Sequence, residues 1–254
     1  MPWTWADLGR VGLLTAVLAT SGALALILLR LVLSIGFAVA EGTGAVRSGT
    51  FDHLSAVYGP YSAAGTTLLV GGMLYGSLFF AVHKYGVAQY GRSWSALGFR
   101  RLPWTRLARI AALFIPITLG GVVIMHLETA LLGGLPANPR PAFLTQGMPA
   151  LPGNFLMLFL LLVVITPIVE ETFFRGFVYK LLRNRFPIWA AAPLSAAAFA
   201  AVHGSPSLFP WLFYMGIVYA VLAERMGSIW ASILIHALAN GLVTFTLIVV
   251  LSGW

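Results

Sequence analysis

Cysteine is absent from the 254-residue chain, and charge is scarce, with Asp, Glu, Lys and Arg together making 9% of it. Without thiols there are no disulfides, no thiolate metal sites and no cysteine nucleophile. Soluble domains carry about 25% charged residues, so an ordinary soluble protein is excluded. Acids number only 7 against 15 Lys and Arg, a formal charge of +8. A basic excess of this size invites a nucleic-acid reading. The bases, however, gather in short loops between apolar runs, where the positive-inside rule accounts for them, so no nucleic-acid partner is expected. The ten-residue alternation of a transmembrane β-barrel is also missing. No internal repeat divides the chain, which counts against an inverted-repeat transporter. The first apolar run is too long for a cleavable signal and lacks a cleavage site.

What is present is apolar: 59% of residues are hydrophobic and the mean hydropathy is +0.92. Crossing a bilayer takes roughly 20 helical residues, and several runs suffice. The expected fold is an all-α, polytopic transmembrane helix bundle of about seven spans, with eight as the upper count. The spans fall near Val11–Ala38, Ser62–Val82, Leu107–Leu132, Asn154–Leu182, Pro187–His203, Leu208–Ala223 and Ser228–Leu251. Arg10, Lys84, Arg92, Arg100, Arg101, Arg106, Arg109, Lys180, Arg183, Arg185 and Arg225 then lie on one side, and Arg47 and Arg140 on the other. The N-terminus is therefore expected in the cytoplasm. The Gly/Pro-rich stretch Gly133–Gly153 reads as an external loop. It separates N-terminal helices and loops (1–150) from a four-helix core (151–254) within one integral membrane domain. Arg30 is expected to snorkel, Gly72 and Gly76 to serve helix packing, and Trp3, Trp5, Trp104, Trp211, Trp230 and Trp254 to sit at the interfaces.

Against this background two adjacent acids, Glu170 and Glu171, stand inside the fourth span. A carboxylate at the centre of a bilayer costs on the order of 2.5–3.5 kcal/mol by insertion scales. Glu171 and Arg175 are spaced i, i+4 in the favourable order. Glu170 is rotated by about 100°, which leaves it free for another task. On unbroken helices Glu170 lies about 21 Å above its cytoplasmic turn and His203 about 24 Å from Pro187, so they share a depth. His236 lies at about 12 Å, a mismatch that a projecting fourth span would reconcile. Phe199 and His203 share a helix face, as do His236 and Asn240. His126 and Glu128 are further candidates to line the chamber, whereas His53 and His83 read as interfacial.

This set supports amide hydrolysis by two routes. In one, carboxylate and imidazole activate water, and an imidazole and an amide hold the oxyanion. In the other, Glu170, His203 and His236 bind Zn2+ or another divalent metal that acidifies its water. No serine has suitable partners, and there is no His-Glu-xx-His zinc motif.

Glu170-Glu171-Thr-Phe-Phe-Arg175, Phe199-Ala-Ala-Val-His203 and His236-Ala-Leu-Ala-Asn240, in that order, resemble the three-motif signature of the CPBP intramembrane proteases. That family is also called the Abi or type II CAAX prenyl endopeptidase family, and it carries a metalloprotease label alongside an argued metal-free glutamate mechanism. The motifs cover roughly Asn154 to Trp254, and Ser95–Arg101 is similar to a loop common in the family. The resemblance implies a polar chamber open to the cytoplasm and laterally to lipid, in a bacterial cytoplasmic membrane. Glu170 and His203 would activate water, His236 and Asn240 would stabilise the oxyanion, and Glu171, Arg175 and Phe199 would support the site. The implied partners are membrane lipids and a peptide or lipidated-peptide (CAAX-type) substrate. Two other functions stand beside it: a non-catalytic membrane factor for bacteriocin self-immunity or protein sorting, and a proton-coupled transporter.

Overall fold

The computed structural model describes residues 2–133 and 152–252; most of the expected Gly133–Gly153 loop and Trp254 lie outside them. Among the described residues the regular structure is entirely helical. The helices are α1 (Trp5–Gly42), α2 (Thr50–Val82), α3 (Trp104–Ala112), α4 (Phe114–Leu132), α5 (Pro152–Phe159), α6 (Thr166–Glu171), α7 (Tyr179–Arg183), α8 (Ile188–Ala201), α9 (Phe209–Met226) and α10 (Trp230–Ser252). Four stretches are long and apolar enough to cross a membrane: Trp5–Gly42, Trp104–Leu131, Leu156–Arg183 and Pro206–Met226. Ile188–Ala201 and Trp230–Thr246 are shorter apolar helices. The chain is an integral membrane protein.

The first helix begins on a capping box, in which Thr4 and Asp7 each bond the other's backbone N–H, satisfying donors that a helix start leaves open. Asp7 is tied further by the Tyr90 hydroxyl at 2.6 Å and by Gln89 at 3.2 Å. The same bond raises the pKa of the Tyr90 phenol above its ordinary value. Trp3 departs from its expected interfacial place. It is buried, donates its indole N–H to the Gly86 carbonyl at 2.8 Å and packs on Phe177. Its ring finds apolar neighbours and its N–H a partner, which is what a buried tryptophan requires. Arg30 stays exposed, and its guanidinium is hydrogen-bonded to Thr66 of α2.

The fourth rod is not the unbroken α-helix assumed above. Two π-helical stretches, Leu160–Ile165 and Thr172–Val178, flank the short helix α6 that carries both glutamates. Pro167 explains the first, since it has no N–H and its ring crowds the preceding turn. The Thr166 N–H then bonds Leu161 in the wider register, and the next donor in line would be Pro167 itself. In the second stretch Gly176 brings the rod against the Ser95–Arg101 segment: a Cβ there would lie 2.9 Å from the Leu97 carbonyl. A wider turn also takes more residues to climb a given height, so the 21 Å estimate for Glu170 was too large. That narrows the mismatch with His236 by a few ångström without closing it; the contacts of His236 with both glutamates place the three side chains together.

The rod faces two apolar clusters. Phe177, Tyr179 and Leu181 pack with Trp3, Val11 and Val82, and Phe174 packs with Phe199, Met215, Tyr219 and Ile235. Close packing between helices rests on glycines other than Gly72 and Gly76, where an added Cβ meets nothing within 4 Å. At Gly216 it would lie 2.8 Å from Ala196 Cβ and 2.9 Å from Ala196 Cα, which seats α9 directly on α8. Gly216→Ala is therefore expected to destabilise the protein by about 1–3 kcal/mol through overpacking. Gly72→Ala should stay within about 0.5 kcal/mol. Thermal unfolding of the two variants in detergent checks this, and equal midpoints would contradict it.

Candidate active site

Four rods meet around the ion pair of Arg175 and Glu171. Arg175 and Glu171 are both 0% exposed, and Nη1 of Arg175 donates to Oε1 of Glu171 at 2.9 Å. Its Nη2 donates to the Gly216 carbonyl of α9 at 3.0 Å. The Phe199 ring lies 4.5 Å and the Tyr219 ring 5.0 Å from the guanidinium carbon, close enough for cation–π attraction. A buried guanidinium is thus neutralised by one carboxylate and sheathed by π faces rather than by water.

The same carboxylate oxygen also takes His236. Nδ1 of His236 lies 3.0 Å from Oε1 of Glu171, and because a carboxylate only accepts, Nδ1 carries the proton. Tyr219 stacks on the imidazole at 4.9 Å, and Phe199 meets it edge-on at 5.9 Å. In a neutral ring Nε2 is then a bare acceptor. It faces Oε2 of Glu170 across 3.8 Å, too far for a hydrogen bond. That oxygen is buried and has no hydrogen-bond partner. Two acceptors facing each other across such a gap suit one water donating a proton to each.

Oε1 of Glu170 is held by a residue absent from the sequence reading: the Tyr75 hydroxyl of α2 donates to it at 2.9 Å. The clue available was a hydroxyl in an otherwise apolar run, between Gly72 and Gly76. Asn240 lies one turn beyond His236, and its Nδ2 donates to the Leu162 carbonyl at 2.8 Å. In the π register that carbonyl would bond the missing Pro167 N–H, so Asn240 supplies the absent donor and keeps a second N–H in reserve.

His203 is not brought to Glu170. It follows the end of α8, it is exposed, and Nδ1 lies 2.7 Å from the Phe199 carbonyl. Its ring does meet Phe199 edge-on at 4.8 Å, as the i, i+4 spacing anticipated. The imidazole therefore stands one aromatic ring away from His236, with Nε2 unprotonated in this tautomer. Among the described residues no three His, Asp or Glu side chains are grouped to hold a metal ion. The Glu170, His203, His236 set does not fit one as it stands, because two donors face each other and the third is at the rim. His126 is exposed and bonds its own helix at the Val122 carbonyl; Glu128 is buried and accepts from neighbouring Thr129. The contacts described for this pair do not join it to Glu170. The expected open chamber is also tighter than foreseen, since Glu170 is 8% and His236 4% exposed.

Residues 152–242 match the family model described as type II CAAX prenyl endopeptidase Rce1-like. That segment is Rce1-like. It contains Glu170, Glu171, Arg175, Phe199, His203, His236 and Asn240, whereas Tyr75 reaches the Rce1-like segment from outside it. An Escherichia coli protein described as an uncharacterized 24.3 kDa protein is 27% identical over 135 residues, covering 50% of this chain and 62% of that protein. The match thus spans less than two thirds of that relative's length. No solved structure matches the chain significantly.

Breaking a buried ion pair leaves the surviving charge without compensation, a loss of about 3–5 kcal/mol. Arg175→Met is expected to lose that much, and combining it with Glu171→Gln to restore part of it. Detergent unfolding curves for the single and double variants measure the coupling, and strictly additive losses would refute it.

Proposed function

We propose that the chain is an intramembrane endopeptidase that hydrolyses peptide bonds of membrane-associated substrates, prenylated CAAX-type peptides among them. The observation that carries this is the unpartnered Oε2 of Glu170 facing Nε2 of His236 at 3.8 Å, inside the Rce1-like segment. A buried carboxylate oxygen without a hydrogen-bond donor is costly in an apolar bundle, and its position beside a second acceptor suits a water.

In this reading the water donates one proton to each acceptor and presents its lone pair to a substrate carbonyl. As oxygen attacks carbon, its proton passes to Glu170, the general base. The remaining N–H of Asn240 stabilises the oxyanion in this reading. When the C–N bond breaks, Glu170 returns the proton to the leaving amine. Tyr75 holds the other oxygen of Glu170, and Glu171 fixes the tautomer of His236. These assignments move His236 from the oxyanion to the water. His203, exposed and bonded through Nδ1 to the Phe199 carbonyl, is left to meet the substrate on entry.

The clustering of bases at the ends near Lys180, Arg183 and Arg225 supports a seven-span arrangement with the N-terminus in the cytoplasm. In a bacterial cytoplasmic membrane the site would then be reached from the cytoplasmic side.

Purified protein incubated with membrane-embedded and prenylated peptides, read by mass spectrometry with and without chelator, tests the reading. Glu170→Gln should lower kcat by about 10²–10⁴-fold while helix content is retained. Undiminished cleavage would remove the mechanism, and physiological complementation by that inactive variant would favour a non-catalytic factor. Tyr75→Phe should lower kcat by about tenfold with little change in KM, the loss of one hydrogen bond to a charged group. His203→Ala, run in parallel, reports whether the rim imidazole reaches the reacting atoms. A loss equal to that of Glu170→Gln would mean that it does.

A further inference from the structure

Two cavities lie at the basic end of the bundle, and successive residues of the same two segments line them. One, of about 330 Å³, is polar and is lined by Gly98, Arg100, Lys180, Arg183, Glu224 and Ser228 among others. The other, of about 880 Å³, is apolar, with Trp104, Leu107, Ala108 and Ala111 on one wall, Leu234 on another and Arg101 beside them. The first four recur at i, i+3, i+4 and i+7, so a single face of α3 forms that wall.

Charge and shape point to the same occupant. Glu224 is the acid among the residues lining either cavity, and it is taken by Arg183, whose Nε and Nη2 donate to it at 3.0 and 2.9 Å. Lys180 uses one donor on the Ala96 carbonyl at 2.7 Å. Arg100, Arg101 and the remaining donors of Lys180 thus form a cationic rim that no acid lining the cavities balances. The walls are already built. Ser228 Oγ donates to the Arg100 carbonyl at 2.6 Å, the Ile229 N–H to Gly98 at 3.0 Å, and Phe99 meets Trp230 edge-on at 5.6 Å. From Trp104 to Ala111 the groove runs about 10 Å along α3.

We propose that this paired cavity binds one anionic phospholipid of the surrounding bilayer. Its phosphate and negative headgroup lie at Arg100, Arg101 and Lys180, and an acyl chain lies in the groove along α3. A free phosphate would leave the groove unused, and a zwitterionic lipid or a neutral isoprenoid would leave the cations uncompensated. Basic pockets beside membrane helices hold anionic headgroups by this combination of charge and apolar contact, and guanidinium forks match phosphate geometry. Arg175 also lines the polar cavity, but Arg100, Arg101 and Lys180 make no contact with Glu170 or His236 among those described, and the proposal does not depend on the peptidase reading.

The test uses the full-length chain, delipidated in detergent, titrated with phosphatidylglycerol or phosphatidylcholine and read by native mass spectrometry. Phosphatidylglycerol should be retained at least tenfold more tightly. Each of Arg100→Gln and Arg101→Gln should cost about fivefold of that preference, and the pair should reduce it to about twofold or less. Ala108→Trp, which fills the groove on an exposed helix face, should weaken retention of both lipids at unchanged helix content. It keeps the test valid should the arginine pair fail to fold. Inorganic phosphate at matched concentration should not displace the lipid. Equal retention of the two lipids, a preference that survives loss of both arginines, displacement by phosphate alone, or one-for-one displacement by a farnesylated peptide would each overturn the proposal.

Discussion

The site depends on compensation of one buried charge. Arg175 has no exposed surface, and it persists because Glu171, the Gly216 carbonyl and the faces of Phe199 and Tyr219 together replace water around it. Each partner comes with a structural demand. Gly216 must be glycine for its carbonyl to reach the guanidinium while α9 rests on Ala196. Phe199 must lie flat enough to serve the guanidinium and still present an edge to His203 and His236. Glu171 must give one oxygen to both Arg175 and His236. The pair contributes little net stability by itself, since desolvation offsets most of the Coulomb attraction. What it supplies is orientation.

That orientation propagates to the neighbouring acid. With His236 Nδ1 protonated against Glu171, Nε2 is an acceptor facing another acceptor, Oε2 of Glu170. The two carboxylates, adjacent in sequence, thereby take opposite tasks. One gives a single oxygen to cation and imidazole together, and the other gives one oxygen to Tyr75 and turns its second toward His236. The π-helical turns on either side of α6 make this division possible. They are where Pro167 removes an N–H, where Asn240 supplies its replacement at Leu162, and where Gly176 lets the rod approach the Ser95–Arg101 segment. Departures from the α register are frequent at functional sites, and here each has a nameable local cause.

The Ser95–Arg101 segment links this buried machinery to the membrane surface. Its carbonyls at Ala96, Gly98 and Arg100 accept bonds from Lys180, Ile229 and Ser228, so one short loop ties α7 to the start of α10. The same backbone contacts turn the side chains of Arg100 and Arg101 toward the two cavities. Catalytic geometry and surface chemistry thus share one bracket, and Arg175, which holds Glu171, also lines the polar cavity.

Much of this was legible in the residues alone. Composition required a helical membrane protein, because 9% charge and long apolar runs leave no soluble alternative. The i, i+4 rule paired Glu171 with Arg175 and Phe199 with His203 correctly, because both contacts are local in the chain. Whatever joined different helices was decided by tertiary packing. Tyr75 holds Glu170 across 95 positions of chain, and no periodicity links them. His236 chose the acids while His203 was left at the rim, because the end of α8 and the π turns of the fourth rod set depths that a uniform rise per residue could not reproduce. Trp3 went inward and Gly72 proved idle for the same reason: spacing says which residues share a face, but only the neighbouring rods determine what that face meets.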